Sequence, residues 1–297
     1  MLETNPDGNP ILSIIIPAFN ESQGIETVLN ELCSEPALKE AEIVVVDDGS
    51  TDGTAEKVSQ FPCVRLIRHA RNMGYGTAIT SGMRVSNGQY VIWFDADGQH
   101  RVQDLLSLSS TLIAEKLDYC IGVREGNSYQ EPRRALGKQV LNIAVKLAVG
   151  KSVGDFNSGL RGFRRQVIRK YLHLLPHGFG ASTTTTLLMI ERGYAGREVP
   201  ITTRNRIGVS SVNPIVDGFK TLLLVLRIFM LFKAMYFFGG IGLLFILVGA
   251  IYGGAKAITQ HLGFPVLSAI LIVFGIQAVF FGLLADQISA LRREKFE

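Results

Sequence analysis

The chain has 297 residues, 47% of them hydrophobic and 19% charged, with a formal net charge of +4. That length accommodates one sizeable globular domain and a further segment, and the balance of charge calls for no nucleic-acid partner. A mean hydropathy of +0.25 excludes an ordinary water-soluble composition throughout, because the apolar surplus is concentrated at one end.

The N-terminal stretch "MLETNPDGNP" is polar, has no apolar core and is not expected to be a signal peptide. Strand-like and helix-like runs then alternate. "ILSIII" is followed by a helix near 24–34, "EIVVV" by 53–60, "VRLI" by 75–85, and "YVIWF" by 102–116; "DYCIGV" and later "REVPI" are further strands. Short continuous apolar strands separated by helices predict a mostly parallel sheet covered on both faces, an α/β doubly wound domain. Ligands of such sheets bind beyond the carboxyl ends of the strands.

Polar residues follow four strands in succession. They are Pro17-Ala18-Phe19-Asn20-Glu21, Asp47-Asp48-Gly49-Ser50-Thr51-Asp52, Arg71-Asn72-Met73-Gly74 and Asp95-Ala96-Asp97-Gly98-Gln99-His100. Each alone is compatible with turn or cap chemistry; four on one rim predict a site. In an extended segment Asp95, Asp97 and Gln99 point the same way. Their oxygens would suit a hard divalent cation, Mg²⁺ or Mn²⁺. His100 is read as a local hydrogen-bonding residue, since such cations do not need imidazole. No GxGxxG or GxxxxGK follows a strand, which argues against a dinucleotide fold and a P-loop ATPase.

Beyond residue 233 the chain changes solvent. No charge occurs from Ala234 to Ala255 or from Leu262 to Ala285, and each run exceeds the roughly 20 residues that cross a bilayer as helix. A two-helix transmembrane hairpin is expected. Arg227 and Lys233 before it and Arg292, Arg293 and Lys295 after it, against Lys256 in its loop, put the N-terminal domain and the C-terminus on the cytoplasmic side of a cell membrane. Residues 213–233 alternate charge with apolar side chains and are expected to form an amphipathic interfacial helix. "RRALGKQVLNIAVKLAVGK" is either a second such helix or a domain helix with a basic face. The three cysteines, Cys33, Cys63 and Cys120, lack metal-ligand spacing and are expected to be reduced thiols.

The order "PAFNE", "VVVDDGSTDGT", "RNMGYGTA", "DADGQH" resembles the inverting glycosyltransferases of family 2, and within them the branch of dolichyl-phosphate mannose synthase and polyprenyl-phosphate glycosyltransferases. The resemblance implies a GT-A (Rossmann-like) domain over 1–212, followed by the membrane elements. It implies transfer of a hexose from UDP or GDP to a membrane polyprenyl phosphate such as undecaprenyl or dolichyl phosphate. Pro17, Phe19, Asn20, Glu21, Asp47, Asp48, Asn72, Gly74, Asp95 and Ala96 would hold the donor nucleotide, and Asp95, Asp97 and Gln99 the cation. "GDFNSGLRGFRR" resembles the acceptor segment, through Asp155, Ser158 and Arg161, with Arg164 a further candidate. Arg124, Arg134, Ser158 and Ser210 would meet the acceptor. "TTRNRIGVSS" resembles a segment that closes over phosphates, through Arg204, Arg206, Gly208 and Ser210; Ser211 stands where many relatives carry Lys. Asp97, Asp155, Arg161, Arg204 and Arg206 form the expected catalytic set, with Asp155 orienting the acceptor rather than acting as a base. Homo-oligomerisation through the transmembrane helices is a further partner reading. The rivals are a processive polysaccharide synthase, disfavoured because the only tryptophan, Trp93, lies in a strand, and a non-catalytic nucleotide-sugar-binding regulator.

Overall fold

The computed structural model describes residues 8, 10–124, 155, 158–178, 180–204, 223, 234–260 and 263–294. They divide into a sheet-containing unit and a helical unit, each described by itself. Arg134, Arg206, Ser210, the basic segment 133–151 and, apart from Leu223, the segment 213–233 lie outside the described residues.

The first unit is built in the expected alternation: β1 (Leu12–Ala18), α1 (Ile25–Ser34), β2 (Glu42–Asp47), α2 (Thr54–Val58), β3 (Val64–Arg68), α3 (Tyr75–Val85), β4 (Tyr90–Trp93), α4 (Val102–Ala114) and β5 (Tyr119–Arg124). It continues through β6 (Arg161–Arg164), α5 (Arg165–Arg169), α6 (Gly180–Glu191) and β7 (Gly196–Ile201). The seven strands lie in the order β3-β2-β1-β4-β6-β5-β7. Only β6 runs antiparallel to its neighbours, between β4 and β5. All seven residues of the central strand β1 are buried, as a strand covered on both faces requires. Leu12, Ile14 and Ile16 share one core with Ile25, Val28, Leu29 and Leu32 of α1 and Leu105, Leu108 and Leu112 of α4. On the other face α3 comes so close that a Cβ on Gly82 would lie 2.4 Å from the Ile15 side chain. Each fully buried Leu or Ile contributes ~2 kcal/mol of transfer free energy.

Two elements depart from the sequence reading. β6 is four residues long and carries Arg at both ends, so no apolar run announces it. α6 contains Ser182 and four consecutive threonines, residues of low helix propensity. Its Thr185 and Thr186 hydroxyls donate back to the carbonyls of Ala181 and Ser182, and tertiary burial overrides propensity.

The cysteine expectation is corrected. Cys33, at the end of α1, and Cys63, just before β3, form a disulfide with Cα atoms 6.7 Å apart. They are 30 residues apart in sequence and are brought together by the fold. Cys120 is free and buried on β5, and burial pushes its thiol up to about 12.

The second unit contains α7 (Ala234–Gln260) and α8 (Val266–Glu294), packed against each other as a hairpin. Both continue past the uncharged runs, so Lys256 belongs to α7 rather than to a loop. Their seam is made of small residues: a Cβ on Gly242 would lie 2.5 Å from the Gly275 carbonyl oxygen, and the converse holds. Gly249 meets the Ser268 carbonyl, and Gly282 backs onto Phe238 and Met235. Small residues let backbones approach where lipid supplies no hydrophobic drive. The outward side chains are apolar and exposed, among them Leu243, Leu247, Ile251, Phe274, Phe280 and Leu284.

Candidate active site

Because β1, β2, β3, β4, β5 and β7 run in one direction, their carboxyl ends share a rim, and antiparallel β6 starts there. The loop after β1 is latched to the loop after β2. Asn20, in the left-handed region at φ 55°, donates its backbone N–H to Ser50 Oγ and accepts from Thr51 N–H. Glu21 N–H donates to Thr54 Oγ1 and Ser22 N–H to Asp52 Oδ2. Pro17 is buried in β1, whereas Phe19 is 42% exposed at the rim.

The two aspartates after β2 are occupied within the protein. Asp48 is buried and accepts from Met73 N–H at 2.9 Å and Gly74 N–H at 2.7 Å, while its Oδ1 lies 2.7 Å from His69 Nδ1. It therefore shapes the Asn72–Gly74 loop. Asp47 accepts from Ser50 N–H through Oδ1; its buried Oδ2 has only Arg68 Nε at 3.4 Å and accepts no hydrogen bond. Gly49, at φ +76°, lets these loops touch, since a Cβ there would lie 2.5 Å from the Arg71 carbonyl carbon.

β4 ends at Trp93, and Ala96–Asp97 form a turn with Gly98 at φ 72°. The same-side alternation expected of an extended Asp95–Asp97–Gln99 segment is therefore not realised. Asp97 Oδ1 instead accepts from Gln99 N–H, an Asx-type closure. Asp95 receives the Tyr75 hydroxyl at 3.1 Å and faces His100 Nε2 at 3.5 Å. Burial acts to raise the Asp95 pKa, but the His100 contact and the Tyr75 hydrogen bond outweigh it and hold the carboxyl below its ordinary value. Burial and the charge of Asp95 push the Tyr75 phenol well above its ordinary value, and the charge of Asp97 adds to the effect. Both carboxylates thus act on one phenol.

The segment before β6 closes the site. A Cβ on Gly159 would fall 1.9 Å from Asp95 Oδ2, so only glycine fits against that carboxylate. Asp155, buried, accepts both Nε and an Nη of Arg124, at 2.6 and 3.1 Å. This bidentate bond raises the Arg124 pKa. Both Asp155 oxygens are engaged by Arg124. Ser158 is buried, its hydroxyl near the Leu160 carbonyl.

Arg161 is fully buried rather than presented at the rim. Its guanidinium donates to the carbonyls of Ser158 and Ser182 and to Thr185 and Thr186 Oγ1, and stands 5.6 Å from the centroid of Trp93. Burial lowers its pKa to about 10 against the opposing influence of Tyr75, Asp155 and Asp95. Arg164 lies at the far end of β6, beside Asp118, away from the rim. Arg204 donates its backbone N–H to the Gln99 carbonyl and its guanidinium to Glu31 Oε1 at 2.7 Å.

Sequence reasoning missed Tyr75, Gly159, His69 and the threonines of α6. The glycine and tyrosine lie inside quoted motifs; nothing in their spacing shows that they meet Asp95.

The chain thus joins an α/β domain with carboxylates on its carboxyl rim to two apolar helices long enough to cross a membrane. The chain belongs to glycosyl transferase family 2, whose model matches residues 13–172, and the GtrB C-terminal hairpin matches 235–291. Glycosyltransferase AglJ of Haloferax volcanii is 27% identical over 96% of this chain and 95% of its own. An undecaprenyl-phosphate 4-deoxy-4-formamido-L-arabinose transferase of Yersinia enterocolitica is 26% identical over 85% and 88%. An uncharacterized protein of Methanocaldococcus jannaschii is 32% identical over 70% and 88%. Glucosyl-3-phosphoglycerate synthase of Mycobacterium tuberculosis, solved with Mn²⁺, UDP and phosphoglyceric acid, shares the fold at a TM-score of 0.60 and 20% identity, over 73% of this chain and 78% of its own. The chain is an enzyme, a glycosyltransferase integrated in a membrane by its C-terminal hairpin.

Proposed function

We propose that this glycosyltransferase moves one sugar from a nucleotide diphosphate, UDP- or GDP-linked, to the phosphate of a membrane polyprenyl lipid, with inversion at the anomeric carbon. The observation that carries the reading is the joining, in one chain, of the carboxylate rim to two bilayer-length helices. Two relatives matched over 95% and 88% of their own length are named for glycosyl transfer or for sugar transfer to undecaprenyl phosphate.

The donor lies along the rim. Phe19 is free to stack on a nucleobase, and the unsatisfied Asp47 Oδ2 is an acceptor for a base or ribose donor once Arg68 shifts. A divalent cation fits the donor set next to it. Asp95 and Asp97 supply carboxylate oxygens, and Gly159 leaves the Asp95 carboxylate uncrowded. Among the described residues no three His, Cys, Asp or Glu side chains converge. The chain thus offers Asp95, Asp97 and the Gln99 amide, and donor phosphates complete an oxygen shell. When bound, Mg²⁺ or Mn²⁺ supplies charge stabilisation for the departing diphosphate.

Tyr75 and His100 keep Asp95 ionised and oriented. Asp155 holds the Arg124 fork, which is 28% exposed, for the acceptor phosphate. Arg161 braces that segment from below by tying Ser158 to α6. A lipid phosphate is already anionic, so no residue needs to remove a proton from it, and positioning with electrostatics suffices. Arg204, released from Glu31, and Arg206 close over the donor phosphates. The three-part division at 212 and 233 and a cytoplasmic domain complete the reading. Since two of the cysteines are paired, orientation rests on the distribution of Lys and Arg alone.

Incubating purified full-length protein in lipid vesicles with undecaprenyl or dolichyl phosphate and labelled UDP- and GDP-sugars tests the proposal. One donor should label the lipid fraction, and absence of lipid label with every donor would refute it.

A further inference from the structure

Three side chains form a relay that runs from α3 to the loop after β2. His69, the residue after β3, has a side chain only 10% exposed. Its Nδ1 lies 2.7 Å from Asp48 Oδ1 and its Nε2 2.9 Å from Ser81 Oγ on α3. Nδ1 faces a carboxylate and carries a proton, so in the neutral ring Nε2 accepts from the Ser81 hydroxyl, and the two bonds fix the imidazole. Asp48 in turn gathers the backbone N–H groups of Met73 and Gly74. Among the described residues no Lys or Arg pairs with this buried carboxylate, so the imidazole is the side chain that compensates and aims it.

The gathered amides belong to a loop that backbone contacts hold through His177. A Cβ on Gly74, at φ +94°, would lie 2.4 Å from the His177 carbonyl oxygen, which accepts from Gly76 N–H at 2.8 Å. Asn72 and Met73 are exposed, next to the Asp47–Gly49 loop. We propose that His69 is a positioning residue of the donor site: backed by Ser81, it aims Asp48 at the Met73 and Gly74 amides and so sets how tightly the Asn72–Gly74 loop receives the nucleotide. This role rests on the donor lying along the rim, as proposed above.

The test uses full-length protein in detergent micelles. UDP and GDP, each with Mn²⁺, are titrated by calorimetry, and hydrogen exchange over residues 70–77 is followed by mass spectrometry without nucleotide. Asparagine carries an amide N–H near the position of Nδ1, glutamine near that of Nε2. His69→Gln should therefore speed exchange in this segment about tenfold and weaken binding of the preferred nucleotide about tenfold, the loss expected for a hydrogen bond to a charged group. His69→Asn should stay within about threefold of the native protein. Ser81→Ala removes only the hydroxyl and should fall between them; if His69→Gln does not fold, native exchange and affinity in Ser81→Ala would overturn the proposal. Equal losses in the two His69 variants would mean that the ring only fills space, and would overturn it too. Unchanged nucleotide affinity in His69→Gln would do the same while leaving the donor reading intact, whereas a native protein that binds neither nucleotide would overturn both.

Discussion

At the scale of single residues, the site depends on the groups that hold Asp95 and Asp97. Asp97→Asn should lower turnover by at least about a hundredfold, since a weakened cation site leaves the departing diphosphate poorly stabilised. Circular dichroism should show an unchanged fold. Tyr75→Phe keeps the ring and removes only the hydroxyl that reaches Asp95. It should weaken Mn²⁺ binding, read by quenching of the lone Trp93, while leaving the melting temperature within a few degrees; unaltered quenching would mean the hydroxyl does not position the carboxylate. Cys120 offers a complementary check on burial. With its thiol pushed up to about 12, it should resist alkylation at pH 8 in native protein and react on unfolding.

At the scale of elements, the Asp52 carboxylate ties the β1 loop to the start of α2. Burial would raise its pKa, but hydrogen bonds from Thr54 and Ser22 outweigh it and hold the carboxyl below its ordinary value. A depressed carboxylate contributes stability above its unfolded value that is lost as pH falls through the folded one. Asp52→Asn should therefore flatten the acid limb of the stability curve below about pH 4, measured by urea melts. The Cys33–Cys63 bond clips α1 to the strand edge. Reduction, or Cys33→Ser, should cost about 2–4 kcal/mol of stability on the chain-entropy account, seen as a lower melting temperature with dithiothreitol. The alternation of strands and helices through β5 was legible in the sequence because continuous apolar runs leave few other solutions. β6 and α6 were not: β6 has no apolar run to announce it, and the threonines of α6 meet the buried guanidinium of Arg161, 24 and 25 residues away in sequence. The Asp95–Gln99 turn was legible as composition and misread as geometry, since the strand stops before Asp95.

At the scale of the molecule, the two apolar runs were plain from the absence of charge, yet their helices extend further because Lys256 and the residues after it continue the same backbone hydrogen bonding. The rim was equally legible as a set of loops, while the internal use of Asp48 and Arg161 appeared only when burial was known. On the proposed function, a sugar passes from the nucleotide to a lipid phosphate of the membrane. The most direct measurement is mass spectrometry and NMR of the lipid recovered from vesicles containing enzyme, a nucleotide sugar and polyprenyl phosphate. A polyprenyl phosphate carrying a single sugar, with the anomeric configuration opposite to the donor's and formation abolished by EDTA, is the predicted result. A polysaccharide, retention of configuration, or free sugar with no lipid product would contradict it.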